Sequence, residues 1–281
     1  MSIKVDTRLL VSMLNRTKRI QSVGGKPQPQ VTACVLSAID DTVSTTSLVR
    51  DGKTSLSVFN IPCEHDYEIK ECIPIPDIDR VLGVLNSHSS PVKIEYDETR
   101  LIFSSGKKKT RLTASLNGLA FPHSSETILE WGQKSDELSS KFQWDGNTFE
   151  GYLMANGETR KPAYVWNVDA NELFEALRCD NMNAQKLNRY TISIRDSIIR
   201  VGVGEELKGF TVVEFANDKK GLSAQIFEMD WDFEGGLENV LSGLSGDINI
   251  YILDFTKEGQ GMRLVIDLNE RGYVYQAGVI R

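Results

Sequence analysis

No apolar run in this chain is long enough to cross a bilayer. Stretches such as Val31 to Leu36 fall far short of the roughly 20 residues that a spanning helix needs. The opening Met-Ser-Ile-Lys-Val-Asp lacks the apolar core of a secretory signal. A soluble protein that is not secreted, working in the cytoplasm of its own cell or of a host, is the expectation. Cysteine is scarce: Cys34, Cys63, Cys72 and Cys179 stand far apart with no C-x-x-C pair, and His65, His88 and His123 are equally scattered. Structural zinc wants four clustered ligands, which this spacing does not offer, so buried free thiols in a reducing compartment are expected. No metal and no cofactor is expected.

Catalytic motifs are lacking too. There is no Walker A sequence, no H-E-x-x-H and no G-x-S-x-G. Gly202-Val203-Gly204-Glu205-Glu206 lacks the third glycine of a dinucleotide loop and places acids where phosphate would sit. No carboxylate pair is singled out by its spacing, and the chain reads as something other than an enzyme.

What is present is a repeat. At 281 residues and 40% hydrophobic, the chain has room for two cores, taking roughly 150 residues per domain. Ile3-Lys4-Val5 is followed by Asp6 and the amphipathic run from Thr7 to Ile20. Later, Tyr164 to Val168 is followed by Asp169 and the run from Ala170 to Leu177. Each reads as a short strand, a capping Asp and a helix. A second pair follows in the same order: Pro76 to Leu85 begins another short helix, as does Asp232 to Leu244. Strands are expected between the helices at Val31 to Ile39, Thr42 to Val49 and Tyr67 to Ile73. In the second half they are expected at Tyr190 to Ile194, Ile198 to Val203, Phe210 to Phe215 and Ala224 to Met229. After the helices come Val92 to Tyr96, Leu101 to Ser104 and Thr110 to Leu116, then Ile248 to Leu253, Met262 to Leu268 and Tyr273 to Val279. Their alternation suits strands with one face packed and one wet. The fold class is therefore α+β: two duplicated domains of antiparallel sheet, each with two helices, at 1–116 and 162–281. Between them, 117–161 is rich in turn signals and carries Trp131, Phe142, Trp144, Phe149 and Tyr152. A connector so long and so aromatic is expected to dock on the sheets, with a hairpin, rather than hang free.

The formal charge is -7, yet it is unevenly spread. On a helical wheel Arg8, Ser12, Asn15, Arg16 and Arg19 fall on one face of the first helix, opposite Leu9, Leu10, Met13, Leu14 and Ile20. No acidic residue occurs from Thr7 to Ile20. A merely solvated face normally mixes both signs, so this stripe points to phosphate. The second half is less clean: Arg178, Lys186 and Arg189 lie at or after the end of its first helix, while Asp169, Glu172 and Glu175 occupy its start. Arg80 is the one cation on the other first-half helix. Lys107, Lys108 and Lys109 form the densest basic cluster, which serves equally as a solvated hairpin tip or as a contact to phosphate.

The order of these elements resembles the DNA sliding clamps of the proliferating cell nuclear antigen and T-even-phage type. The ending Tyr275-Gln276-Ala277-Gly278-Val279-Ile280 is similar to the Tyr-Leu-Ala-Pro-Lys-Ile of that family, with Gly278 and Val279 departing from it. The resemblance implies a non-enzymatic processivity factor, a head-to-tail homotrimer ringing duplex DNA without reading its sequence. It implies a DNA polymerase and a clamp loader as partners, and no membrane. It also implies a partner-peptide groove at Tyr275, Ala277, Gly278, Val279 and Ile280, for which Trp131 and Phe142 are the candidate connector wall. Ring contacts carried over by position fall on Thr110, Leu112 and Ala114 of one copy and Phe210, Val212 and Phe215 of the next. Two rival readings stay open at this point, a monomeric processivity factor of the same fold and a virion or scaffold protein.

Overall fold

A computed structural model describes residues 2–20, 22–23, 26–27, 33–39, 41–49, 55–65, 71–114, 124–178, 189–195, 198–205, 209–216, 227–234 and 237–279. Contacts gather the chain into two compact units. One comprises 1–21, 27–52 and 56–137; the other comprises 22–26, 53–55 and 138–281.

The chain opens with β1 (Ser2–Val5) and α1 (Thr7–Ile20) of the first unit, then the short β2 (Ser22–Val23) and β3 (Lys26–Pro27). There follow β4 (Cys34–Ile39), β5 (Thr42–Val49), β6 (Ser55–His65), β7 (Glu71–Ile75), α2 (Ile78–Leu85), β8 (Val92–Tyr96), β9 (Arg100–Ser105), β10 (Lys108–Thr113) and α3 (Ser125–Ser139). The second unit holds β11 (Phe142–Asp145), β12 (Thr148–Leu153) and β13 (Thr159–Arg160). It continues with β14 (Tyr164–Asp169), α4 (Ala170–Arg178), β15 (Arg189–Arg195), β16 (Ile198–Glu205), β17 (Gly209–Ala216), β18 (Phe227–Glu234), α5 (Leu237–Leu241), β19 (Asp247–Leu253), β20 (Arg263–Asp267) and β21 (Gly272–Val279).

Setting aside the connector and the β2–β3 ribbon, both units run strand, helix, four strands, helix, three strands. Their ladders match. In the first unit β10-β9-β8-β1 and β6-β5-β4-β7 are joined through β1 and β6; in the second β14-β19-β20-β21 and β18-β15-β16-β17 are joined through β21 and β18. Each is one cyclic order of eight strands, opened at a different seam. At the second unit's open seam, Trp166 of β14 and Phe215 of β17 meet edge to face at 5.1 Å. Every pairing with a defined register is antiparallel, for example Val5 opposite Val92 and Val168 opposite Ile248.

The helix starts repeat chemically as well. Asp6 Oδ1 accepts from the Arg8 and Leu9 amides at 2.8 and 3.0 Å, and Asp169 Oδ1 accepts from those of Asn171 and Glu172 at 2.9 and 3.1 Å. Such caps satisfy amides that have no partner inside the helix. The Ser90 hydroxyl also donates to Asp6, and together these bonds hold that carboxyl below its ordinary pKa.

Three expectations need correction. Leu9 is 43% exposed; the buried stripe of α1 is Thr7, Leu10, Met13, Leu14 and Thr17, and the Thr17 hydroxyl donates to Met13 O at 2.9 Å and lies 2.7 Å from the Thr45 hydroxyl. A β-branched hydroxyl that satisfies itself on the preceding turn packs like an apolar residue. Secondly, β6 was not expected, because Pro62 and alternating serines mask a strand pattern. Thirdly, Asp232 to Glu234 close β18 rather than open a helix, so α5 is only Leu237–Leu241. Strand β4 is covered on both faces. Leu36 lies opposite Thr45, which meets α1, while Val35 on the other face packs with Ala33 and Ile128 of α3.

The connector is structured throughout its described length. Helix α3 starts at a Ser124 cap, whose hydroxyl accepts from the Thr127 amide, and buries Ser125, Ile128, Gly132 and Ser135 in the first unit. The expected hairpin is present as β11, β12 and β13, in the second unit. Within it Gly151, at φ +154, lies so close to β13 that an added Cβ would stand 2.5 Å from Arg160 O and 2.8 Å from Thr159 Cγ2. Gly151→Ala is therefore expected to lose about 1–3 kcal/mol of stability, the usual cost of forcing extra atoms into packed surroundings. Gly83→Ala, in open space on α2, is expected to gain about 0.5–1 kcal/mol. Urea unfolding of the two variants side by side checks both signs.

Candidate nucleic-acid interface and edge strands

Helices α1 and α2 pack together in the first unit, bridged by an ion pair from Lys18 to Asp79. Arg8 and Ser12 are exposed on α1, and Asn15, Arg16 and Lys18 are half-buried. Asn15 donates its side-chain amide to Val11 O at 3.0 Å, so its carbonyl oxygen stays with the polar face. Arg80 is exposed on α2 and lies 3.6 Å from its own cap, Asp77. The stripe read from the wheel thus exists on the helix surface for Arg8, Ser12, Asn15 and Arg16. The Arg19 backbone continues α1 to Ile20.

The equivalent face of the second unit is different. Arg178 ends α4, 3.4 Å from Glu175 and with its guanidinium 5.1 Å from the Phe174 ring centre. Arg189 opens β15 opposite Glu234, which puts it on a strand and not on α4. Lys186 and Ile280 lie outside the described residues, as does Cys179.

Lys107, Lys108 and Lys109 belong to the β9–β10 hairpin, turned by Gly106 at φ +54. Lys108 donates to Ser87 O at 2.6 Å, while Lys107, Lys109 and Arg111 are exposed. Strand β10 pairs with β9 alone and so ends its ladder, and β17 pairs with β16 alone and ends the other. The two segments carried over as ring contacts are thus both edge strands among the described residues. On β10, Lys109, Arg111 and Thr113 are exposed and Thr110 and Leu112 half-buried; on β17, Val212 and Glu214 are exposed and Val213 and Phe215 half-buried. Ala114, just past β10, is buried, with its amide on Thr99 O and its carbonyl receiving the Ser125 hydroxyl. Phe210 sits in β17 opposite Gly204.

The edge strand is fixed from behind by a residue that the sequence did not single out. His88 is buried, with Nδ1 2.8 Å from Ser105 Oγ and Nε2 2.8 Å from Thr110 Oγ1. Burial first and the Lys108 charge second depress its pKa, so a neutral ring donates to one hydroxyl and accepts from the other. An isolated histidine with no partner nearby in sequence carries no signal for such a role.

The candidate groove residues fall in both units. Trp131 packs in the first unit beside Ala33, Val35 and Cys72. Phe142 lies in the second unit with its ring 5.3 Å from Tyr275 and 5.4 Å from Tyr273, and both Phe142 and Tyr275 are buried. Burial pushes the Tyr275 phenol up to about 12. Ala277 and Gly278 are half-buried strand residues. Gly278 pairs with Phe233 and Val279 with Asp232, so the chain end is part of a ladder. Cys34 and Cys63 are buried free thiols, and Cys72 is a half-buried one. Among the described residues no group of three His, Cys, Asp or Glu stands close enough to hold a metal, and no helix is long and apolar enough to cross a membrane.

No family model matches the sequence, and no curated protein does. Solved structures match over the whole chain. The DNA polymerase sliding clamp of Bacillus subtilis superposes with a TM-score of 0.65 at 15% identity, covering 100% of this chain and 64% of that one. The Helicobacter pylori beta clamp, solved with a DNA ligase peptide, gives 0.61 at 12% identity over 100% and 67%. The PCNA of A. fulgidus, solved with the C-terminal region of FEN-1, gives 0.58 at 14% identity over 100% and 98%. This chain therefore spans about two thirds of the bacterial subunits and nearly all of the archaeal one. Its fold is that of the DNA sliding clamps.

Proposed function

We propose that the protein is a sliding clamp, a processivity factor that works by enclosing duplex DNA as a ring and tethering a polymerase. The observation that carries this reading is the basic, acid-free face of α1, displayed on a duplicated clamp fold. Lys and Arg contacts to phosphate carry no sequence information and break and re-form along the duplex, which is what sliding requires. Enclosure removes the need for tight contacts, so a few cations per copy suffice. The protein needs no catalytic group for this task.

A homotrimer closed head to tail would join the edge strands β10 and β17 of neighbouring copies, since a contact between unlike surfaces that closes produces a cyclic ring. The archaeal neighbour, similar in length to this chain, supports a two-unit subunit. Polymerase and clamp loader are proposed to dock beside Ala277 and Gly278, because Phe142 and Tyr275 are covered by each other. Two of the neighbours were solved with segments of DNA-processing proteins, which supports a peptide-docking role.

Arg8→Glu combined with Arg16→Glu tests the reading. Both side chains lie on the face away from the buried stripe, so the melting temperature should change little. Binding to duplex is expected to fall by about tenfold or more, and the salt dependence to flatten by about one to two ion equivalents. Processive primer extension should be lost in parallel. Unchanged binding and synthesis would remove α1 from the DNA interface and the reading with it.

A further inference from the structure

The two units build their first helices on the same pattern yet clothe them in opposite charge. Counted from the capping Asp6 and Asp169, the buried positions correspond one to one: Thr7 with Ala170, Leu10 with Leu173, Met13 with Ala176 and Leu14 with Leu177. The exposed positions correspond equally, with Leu9 matched by Glu172 and Ser12 by Glu175. So the outward faces of α1 and α4 are the same face of the same repeat. On α1 it carries Arg8 and Arg16, with Lys18 engaged by Asp79 of α2, and no acid; on α4 it carries Glu172 and Glu175, with Arg178 engaged by Glu175 and stacked on Phe174. Glu238 of α5 adds a further acid, half-buried.

We infer that duplex DNA is held by the α1–α2 face alone and is repelled by the α4 face, so that the second unit weakens the grip which the first unit provides. The inference rests on the clamp reading above and adds a division of labour to it. Duplex DNA presents about one charge per 1.7 Å, and carboxylates within a Debye length of about 8 Å of it at physiological salt are not screened away. Holding Arg178 on Glu175 also withholds a cation that would otherwise meet phosphate. A capping Asp and an early Glu do favour the helix N-terminus. That account covers Glu172, but it gives no reason for Glu175, in the second turn, to replace the serine of the matched position. A weak net grip keeps a ring mobile.

Glu172→Gln with Glu175→Gln in the full chain tests this, with a fluorescent short linear duplex as the probe. Glu126→Gln with Glu130→Gln on α3 is the control, because both of those residues are exposed and the change in net charge is the same. The expected result is a rise in duplex affinity of about fivefold for the α4 pair only, with a salt dependence steeper by about one ion equivalent as Arg178 becomes free to bind phosphate. No change in the α4 pair overturns the inference, since α4 then does not face DNA. An equal rise in both pairs overturns it as well, by reducing the effect to bulk charge. These outcomes are separate from failure of the clamp reading, which shows instead as undiminished binding in the Arg8→Glu, Arg16→Glu protein. All four residues are exposed, and a thermal melt of each variant verifies that the fold is kept.

Discussion

Phe142→Ala is expected to lower the stability of the second unit by about 3–5 kcal/mol, the range found for removing a buried aromatic ring. Phe142 is 4% exposed, and its ring centre lies 5.3 Å from Tyr275, 5.4 Å from Tyr273, 5.5 Å from Tyr152 and 6.2 Å from Phe149. Tilted and edge-to-face rings at these separations add about 0.5–1.5 kcal/mol per pair beyond the area they bury. The cluster continues outward: Phe149 meets Tyr251 at 5.1 Å, Tyr152 meets Phe255 at 5.6 Å, and the Arg263 guanidinium lies 4.1 Å above Phe255. Arg160 ties β13 down through Asp254 O at 3.0 Å and an ion pair with Glu258. A short hairpin has little stability of its own in water, so its order derives from this aromatic seat on β19, β20 and β21. Phe142→Leu, which keeps much of the volume, should cost about 1–2 kcal/mol. Urea unfolding followed by tryptophan emission reads both changes, since Trp144 stands in the same cluster, 5.5 Å from Tyr273. A loss under about 1 kcal/mol for the alanine variant would mean that the hairpin unfolds on its own and is no part of the unit's core.

The hairpin was legible in outline and its seat was not. Asp145-Gly146 between Trp144 and Phe149 announces a turn between two aromatic segments, but nothing local says which sheet face receives them. That depends on Tyr251, Tyr273 and Tyr275, far along the chain. Helix α3 was hidden for a different reason. Three of the four residues it buries are Ser125, Gly132 and Ser135, chosen because the helix approaches β4 closely; a Cβ on Gly132 would stand 3.0 Å from Val35 Cγ2. An apolar stripe is the usual signal of a packed helix, and close packing of small residues erases it. The repeat, by contrast, was visible because its markers are chemical and local: an Asp that caps, an apolar residue four positions on, and strands in fixed order. The candidate DNA face was legible on α1 since polarity and exposure coincide there for Arg8 and Ser12, with Asn15 and Arg16 half-buried beside them. It misled for Leu9, where exposure depends on the rotation of the helix against the sheet and not on residue type.

Lys109→Glu combined with Arg111→Glu is expected to convert a trimer into single chains, as read by sedimentation equilibrium. An edge strand offers unpaired backbone groups to any other edge, and proteins usually guard such edges with charge. On β10 Lys109 and Arg111 share one side with Thr113, while on the other side Lys108 is followed by the half-buried Thr110 and Leu112. On β17 the acid is Glu214, held 2.8 Å from Arg200 Nε, while Val213 and Phe215 are half-buried on the opposite side. Two strands with this alternation satisfy each other when paired, apolar beside apolar and cation beside anion. The same charges repel β10 from a second β10, so in the proposed ring the guarded edge is expected to meet β17 of a neighbouring copy. Like charges brought together across such a contact cost several kcal/mol, enough to empty a trimer at micromolar concentration. Restoring complementarity should restore the ring. Adding Glu214→Lys, with Arg200→Glu to keep the cross-strand pair between β16 and β17, is expected to return the double mutant to three chains. That rescue separates lost attraction from a damaged fold, because a misfolded β10 gains nothing from a change on β17. A trimer that survives reversal of both β10 charges would place the subunit contact elsewhere. A wild-type chain that sediments alone at every concentration, with DNA present and absent, would leave a monomeric clamp-fold factor as the reading.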